Sequence, residues 1–321
     1  MKKSSWALRW QSIDYPFLLP LMARLPLAFG QTLSNLRGAL NGYLNRDWAE
    51  LALDSPYIAK RTVFAAKQLW PELSASQAIR LRYQSVSKEE WHGAILSQAK
   101  PDALRQMNLD LSALKAMLKQ ASPDKGLVVL TAHFDSVTLG VVGLGLCGRT
   151  TSVTTSNVYE NDLVNRSVRD FFNRKYRGAE VFLNGGKFLH VETSLRALYL
   201  ALRRHETVVV VADAPALSQT TNSSGIWVPW FGHMRKVADG GLRMAQETGS
   251  LICAMVCVTD SQGGVRWLCS DVLNPRSTPK FETQLFQFME RCILQHPGKW
   301  WASHLLQDFP IQAAASEVSY D

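Results

Sequence analysis

Leu127-Val-Val-Leu-Thr-Ala-His133, the opening of the run LVVLTAHFDSVTLG at 127–140, carries the reading of the fold. Ser122-Pro123-Asp124-Lys125-Gly126 precedes it, a cluster of turn-forming residues that separates one element from the next. The apolar, largely β-branched residues that follow show no polar face, which is the pattern of a buried strand. The run closes on Ala132-His133, so a titratable ring stands at the carboxyl end of that strand.

Working outward, similar runs recur at Thr151–Thr155, Glu180–Leu183, Thr207–Ala212 and Leu251–Val258, with a weaker one at Val265–Cys269. Helical periodicity fills the intervals Asn161–Tyr176, Glu192–Arg204 and Val237–Thr248. Strands alternating with helices predict an α/β fold: a mixed, largely parallel central sheet flanked by helices. Upstream the pattern is helical, at Asp47–Phe64, at Ser74–Ser85 and at Leu109–Gln120. Ser74-Ala-Ser76-Gln77 supplies an N-cap signature for the second of these. The expected organisation is a helical N-terminal region over 1–120, with a membrane-interfacial segment, appended to an α/β core over 121–321. No linker separates the two, so they read as one structural unit.

Hydrophobic residues make up 46% of the 321-residue chain and charged residues 19%, which excludes a disordered protein. The net charge of +8 favours anionic partners such as phospholipid headgroups, nucleic acid or an acidic carrier protein. Five cysteines without CxxC spacing, most of them in apolar runs, read as buried free thiols in a reducing compartment; no metal site is expected. Tyr15–Gly30 is the greasiest N-terminal stretch, but Pro16, Pro20, Arg24 and Pro26 interrupt it. It is too broken to span a bilayer and suits either an interfacial anchor or a helix packed on the domain itself.

Open α/β sheets collect their chemistry outside the carboxyl ends of the strands. His133 stands at one such end and Asp213, after Thr207–Ala212, at another. If the two strands are neighbours, the imidazole and the carboxylate converge, and a neutral imidazole is suited to taking a proton from a hydroxyl. Each also has a plainer role, His133 satisfying strand-end backbone groups and Asp213 capping the next turn. Gly143-Leu-Gly145-Leu-Cys-Gly148 matches a dinucleotide fingerprint in letters only, because the glycines come well after the strand; a tightly packed small-residue helix explains them better. Arg166, Arg169, Arg174, Lys175 and Arg177 crowd into twelve residues; on a helix Arg166, Arg169 and Arg177 lie near one face with Asp170 and Asn173, which reads as solvated. Trp227, Trp230 and Phe231 beside His233, Arg235 and Lys236 mix aromatic and cationic groups as membrane interfaces and single-strand nucleic-acid sites do, without the sheet signature of an RNA-recognition module. Nucleic acid is therefore not expected as a partner.

From about Arg61 onward the chain resembles the late acyltransferases of lipid A assembly, within the lysophospholipid acyltransferase superfamily. The resemblance rests on Gln68-Leu-Trp-Pro-Glu-Leu-Ser74, on the 127–140 run, on SLRALYLALRR at 194–204, on VVVVAD at 208–213 and on WVPWFG at 227–232. It implies a His serving as base toward an acceptor hydroxyl, followed after four residues by an orienting acid. His133 matches the base, whereas Thr138 occupies the acid position. Further departures are Glu192 where the family carries a basic residue ahead of Arg196, Asp213-Ala-Pro215 at the strand end, and His304-Leu-Leu in place of a closing basic motif. Within the family these departures are most similar to the lipid A glycyltransferase, which takes glycine from a carrier protein.

The resemblance therefore implies transfer of a glycyl group from a phosphopantetheine thioester on an acidic carrier protein to a hydroxyl of lipid A. His133 would act as base, with Asp213, Asp135 and Glu192 as candidate acids, and Thr138, Arg196 and Arg235 would bind substrate. No other cofactor is expected. The implied setting is peripheral, on the cytoplasmic face of the inner membrane and against its anionic surface. A fatty-acyl transferase with a displaced acid is the alternative within enzymes; a lipid- or carrier-binding pseudoenzyme is the alternative outside them.

Overall fold

The computed structural model describes residues 5–53, 57–156, 158–191, 195–215 and 225–312. The strands are β1 Leu109–Asp110, β2 Leu127–Thr131, β3 Thr151–Thr155, β4 Phe188–His190, β5 Thr207–Val211, β6 Ile226–Trp230, β7 His233–Val237, β8 Leu251–Thr259 and β9 Val265–Cys269. Seven of them form one sheet in the order β1-β9-β8-β2-β5-β3-β4, and β6 and β7 form a separate antiparallel hairpin. Within the large sheet every pairing is parallel except β8 with β9, so the sheet is mixed and largely parallel, flanked by helices and preceded by N-terminal helices.

β2 is the central strand, between β8 and β5. Successive side chains on a strand point to opposite faces, and here both faces are covered. Val128 and Leu130 enter one core, with Leu198 and Leu202 from the helix Arg196–Arg203, Leu242 and Ala245 from Gly240–Thr248, and Leu285 and Phe286 from Phe281–Gln295. Leu127 and Val129 enter the other, with Leu139 and Val142 from Val137–Leu146, Leu114 from Ser112–Gln120, and Phe171 from Arg166–Glu180. Each fully buried branched side chain contributes roughly 1.5–3 kcal/mol, so β2 anchors both halves of the fold.

The helix Ala75–Leu96 joins the two cores: Ala78 lies in the first, Trp91 to Leu96 in the second. Ser74 and Gln77 cap it reciprocally, as the Ser-Ala-Ser-Gln signature predicts. It runs well beyond the expected end at Ser85. The reason is that Glu89 and Glu90 are buried against ionic partners from other elements, so the polar run Ser85–Glu90 breaks the apolar period without ending the helix.

Two further expectations are corrected. Glu180–Leu183 is not a strand: Glu180 ends the helix Arg166–Glu180, the chain turns through Val181–Gly185, and the strand is Phe188–His190. The last turn of that helix packs directly on the end of Ala75–Leu96, where a Cβ on Gly178 would lie 2.2 Å from the carbonyl oxygen of Leu96. Asp47–Phe64 is two helices, Trp48–Leu53 and Ile58–Leu69, with residues 54–56 outside the described ones. The glycine-rich segment forms the helix Val137–Leu146, in which a Cβ on Gly143 would lie 2.5 Å from the ring of Trp267. Its small residues serve close packing. Among the described residues no helix is long and apolar enough to cross a membrane.

Candidate active site

Parallel register brings the site together. Thr131 of β2 pairs with Val211 of β5, and each strand carries on in step to His133 and Asp213. The Asp213 carboxylate is fully buried, and its Oδ1 lies 2.8 Å from His133 Nδ1. Its Oδ2 accepts the His133 backbone N–H at 2.8 Å and the Trp300 indole N–H at 2.7 Å. Three donors on one carboxylate hold it ionised. Burial raises the Asp213 pKa, but the His133 charge and these hydrogen bonds outweigh it, and the net direction is down. The hydrogen in the Asp213–His133 contact therefore sits on Nδ1, which leaves Nε2 with its lone pair.

The His133 side chain keeps 35% of its surface exposed, so one edge of the ring faces outward. Trp301 forms a wall beside it, with ring centroids 4.7 Å apart at 66°, and its backbone N–H donates to the His133 carbonyl at 3.1 Å. Burial lowers the proton affinity of His133, but Asp213 more than compensates, and its pKa lies above the ordinary imidazole value.

A second cluster sits on the loop between β2 and the next helix. Asp135 adopts a left-handed backbone (φ 46°), uncommon for a residue with a side chain. Its Oδ2 accepts the Thr259 backbone N–H and hydroxyl, each at 2.7 Å, and Lys299 Nζ at 2.5 Å; Lys88 Nζ is 3.6 Å from Oδ1. Burial raises its pKa, but Lys88 and Lys299 overcome this and hold it at about 2. Asp135 thus commits Oδ2 to Thr259 and Lys299, while its buried Oδ1 makes no hydrogen bond and has only the Lys88 charge nearby.

Thr138, at the motif's acid position, donates its hydroxyl to Glu89 Oε1 at 2.5 Å, and its backbone N–H donates to Glu89 Oε2 at 3.2 Å. Ser136 Oγ also donates to Oε2, and Lys175 Nζ lies 2.6 Å from Oε1. A carboxylate from the Ala75–Leu96 helix therefore caps the Val137–Leu146 helix at its electropositive end. Lys175 is buried in this pair, unlike Arg166 of the same basic cluster, which is exposed.

Arg235 and Arg196 are placed elsewhere. Arg235 is buried in the hairpin β6–β7 and donates to the carbonyls of Trp230 and Leu306, at 3.2 and 3.0 Å. Trp230 packs against Phe286, Trp300 and Phe309 in the core. Arg196 begins the helix Arg196–Arg203 on the surface. Glu192 lies outside the described residues. Glu89, Trp300 and Trp301 escaped the sequence reading, which noted Lys175 only as one of a basic cluster. The one available signal was Lys88-Glu89-Glu90 abutting Trp91-His92-Gly93, charges running without a break into a packed segment.

The family model described as bacterial lipid A biosynthesis acyltransferase matches residues 94–307, a span that includes His133 and Asp213. The match puts the chain among enzymes that transfer acyl groups. More particularly, it belongs to the bacterial lipid A biosynthesis acyltransferase family, and is an acyltransferase acting on lipid A or a related lipid. No curated protein matches the chain. Among solved structures it is similar to the 1-acyl-sn-glycerophosphate acyltransferase PlsC of Thermotoga maritima, with 14% identity and a TM-score of 0.35 over 89% of this chain and 100% of that one.

Proposed function

We propose that the protein moves a fatty-acyl group from a carrier-protein thioester to a hydroxyl of lipid A or a related lipid, with His133 as general base and Asp213 as its orienting acid. The observation that carries this is the 2.8 Å contact between His133 Nδ1 and a fully buried Asp213. His133 Nε2 takes the acceptor hydroxyl proton as that oxygen attacks the thioester carbonyl. The tetrahedral intermediate then collapses, expelling thiolate, which recovers the proton from the imidazolium. Asp213 stabilises that imidazolium without leaving its ionised state.

The donor follows from which acids are already engaged. A glycyl thioester brings an ammonium that must be paired when it is desolvated. Asp213 is bound to His133 and Trp300, Asp135 to Lys88 and Lys299, and Glu89 to Lys175. The carboxylates described around His133 therefore hold partners of their own, which supports a fatty-acyl donor over the glycyl donor that the sequence departures imply. A fatty chain also gains about 0.8 kcal/mol per methylene it buries. Purified protein offered a long-chain acyl-carrier thioester and a glycyl-carrier thioester should acylate lipid A from the first. Transfer of glycine alone would reverse the assignment of donor.

Association with a lipid surface is supported by the helix Leu27–Tyr43, whose polarity is inverted. Its buried face carries Gln31, Ser34, Arg37 and Asn41, while Phe29, Leu33, Leu36, Leu40 and Tyr43 are exposed. Those apolar residues recur at helical spacing on one side, as in a helix lying in a membrane interface. Of the preceding segment, Tyr15, Leu19 and Met22 pack inward, while Phe17 and Leu21 add to the exposed face. We read the protein as peripheral, held by this face and by its positive charge.

A further inference from the structure

A cavity of about 400 Å³ opens at the end of β8, one strand over from His133, and the function proposed above does not use it. Lys88, Lys299, Arg266 and His296 line it, along with Gln31 from the inverted helix and Asp260 from the β8–β9 turn. Lys88 and Lys299 share the single carboxylate of Asp135, which can neutralise only one of them. Asp260 is turned into its own loop, where Oδ1 accepts the N–H groups of Gln262 and Gly264. Arg266 adds a third basic side chain, so positive charge exceeds negative within a space the size of a small ligand.

The placement narrows the ligand. Gln31 Nε2 donates to the carbonyls of Asp260 and Ser261, at 3.2 and 3.4 Å, which ties the cavity to the underside of the helix whose outer face is apolar. An anion held here would lie between a lipid-facing helix and the strand ends that carry His133. Burial also lowers the proton affinity of Lys88, a penalty that a bound anion would relieve. We propose that this cavity is a phosphate-binding site that holds a phosphorylated headgroup while the reacting hydroxyl is presented to His133. The proposal rests on the lipid-directed function above. Lys299 Nζ already donates to Asp135 and the Thr259 carbonyl and Lys88 Nζ to the Thr259 hydroxyl, so Lys299 contributes chiefly its charge, while the Arg266 guanidinium and the remaining Lys88 donors suit the oxygens of a phosphate.

The test measures binding without turnover, so that failure of the site and failure of the transferase reading are separate results. Full-length wild type, Arg266→Gln and Lys299→Gln are sedimented with phosphatidylcholine vesicles doped with phosphatidic acid, and titrated with inorganic phosphate and with 4′-phosphopantetheine. Arg166→Gln, which removes the same charge from an exposed helix position, is the control for general electrostatic attraction. The site predicts that Arg266→Gln weakens phosphatidic-acid binding about tenfold while Arg166→Gln leaves it near wild type. Arg266→Lys should recover most of the loss. A loss confined to 4′-phosphopantetheine would assign the phosphate to the donor and overturn the headgroup assignment. Equal binding by Arg266→Gln and Arg166→Gln to every probe would overturn the site itself. Lys299→Gln also frees one oxygen of Asp135, so Arg266→Gln decides the question if that variant folds poorly.

Discussion

Asp213 and Glu89 are both buried carboxylates at the loop that follows β2, and they answer to different cations. Asp213 is paired with His133, whose ring is partly exposed; Glu89 is paired with Lys175, whose side chain is 5% exposed. In the proposed mechanism the first pair passes a proton to and from an incoming hydroxyl. The second is sealed, and its two charges shift the proton affinity of His133 in opposite directions. Burial and ionisation alone therefore do not mark a catalytic acid. The partner's titration range and its open edge do.

Breaking the first pair should have the largest effect. His133→Ala is expected to lower kcat per folded molecule by about 10³–10⁴-fold, read by acyl transfer, and to lower the melting temperature as well, because Asp213 Oδ1 loses its buried partner. Wild-type turnover in the folded variant would remove His133 from the mechanism. Asp213→Asn should lower kcat by about 10²–10³-fold, because the amide neither fixes the tautomer nor stabilises the imidazolium.

The same pair sets the pH profile. Asp213 raises the His133 pKa, and only neutral imidazole accepts a proton, so kcat/KM should rise with pH along a limb above the ordinary imidazole range. Removing the anion lowers that pKa, so in Asp213→Asn the residual activity should show the limb shifted to lower pH. An unshifted limb would mean that another group titrates there.

Breaking the second pair should act on stability. Glu89→Gln leaves the Lys175 ammonium buried without its counter-charge, an expected loss of about 3 kcal/mol in denaturant titrations. Activity per folded molecule should change by less than about tenfold, unlike the Asp213 variants. The double replacement Glu89→Gln/Lys175→Met should recover most of the stability. If Glu89→Gln instead matches Asp213→Asn in kcat, the contrast between the two carboxylates collapses. The smallest effect belongs to Thr138→Val, which deletes one hydrogen bond to an ionised group and should cost about 1.5 kcal/mol.

Much of this site was legible because it is made of strand ends. Turn residues before Leu127 and an unbroken apolar run located β2, and a similar run located β5; His133 and Asp213 then follow as the first polar residues past each. Whether the two strands are neighbours could not be read, since pairing is set by the packing of both cores. Thr138 was legible as a departure, but the carboxylate that meets it was not. Glu89 lies ahead of the matched family span, and its burial depends on Lys175, far along the chain. The misplaced strand at Glu180–Leu183 has a related origin: a short apolar run cannot by itself say whether it closes a helix or forms a strand.

Asp135 imposes a constraint that bears on how this loop can drift in sequence. Its left-handed backbone is open at low cost to Gly, Asn and Asp, and disfavours branched or bulky residues. Its two lysines ask for a negative charge, and of those three residues only Asp supplies it. Asn and Gly are each a single base change away from an aspartate codon, so mutation reaches them easily, yet either one strands two ammonium groups against each other. Lineages that lose this aspartate should therefore be found to have lost Lys88 or Lys299 as well, and the three positions should change together or not at all.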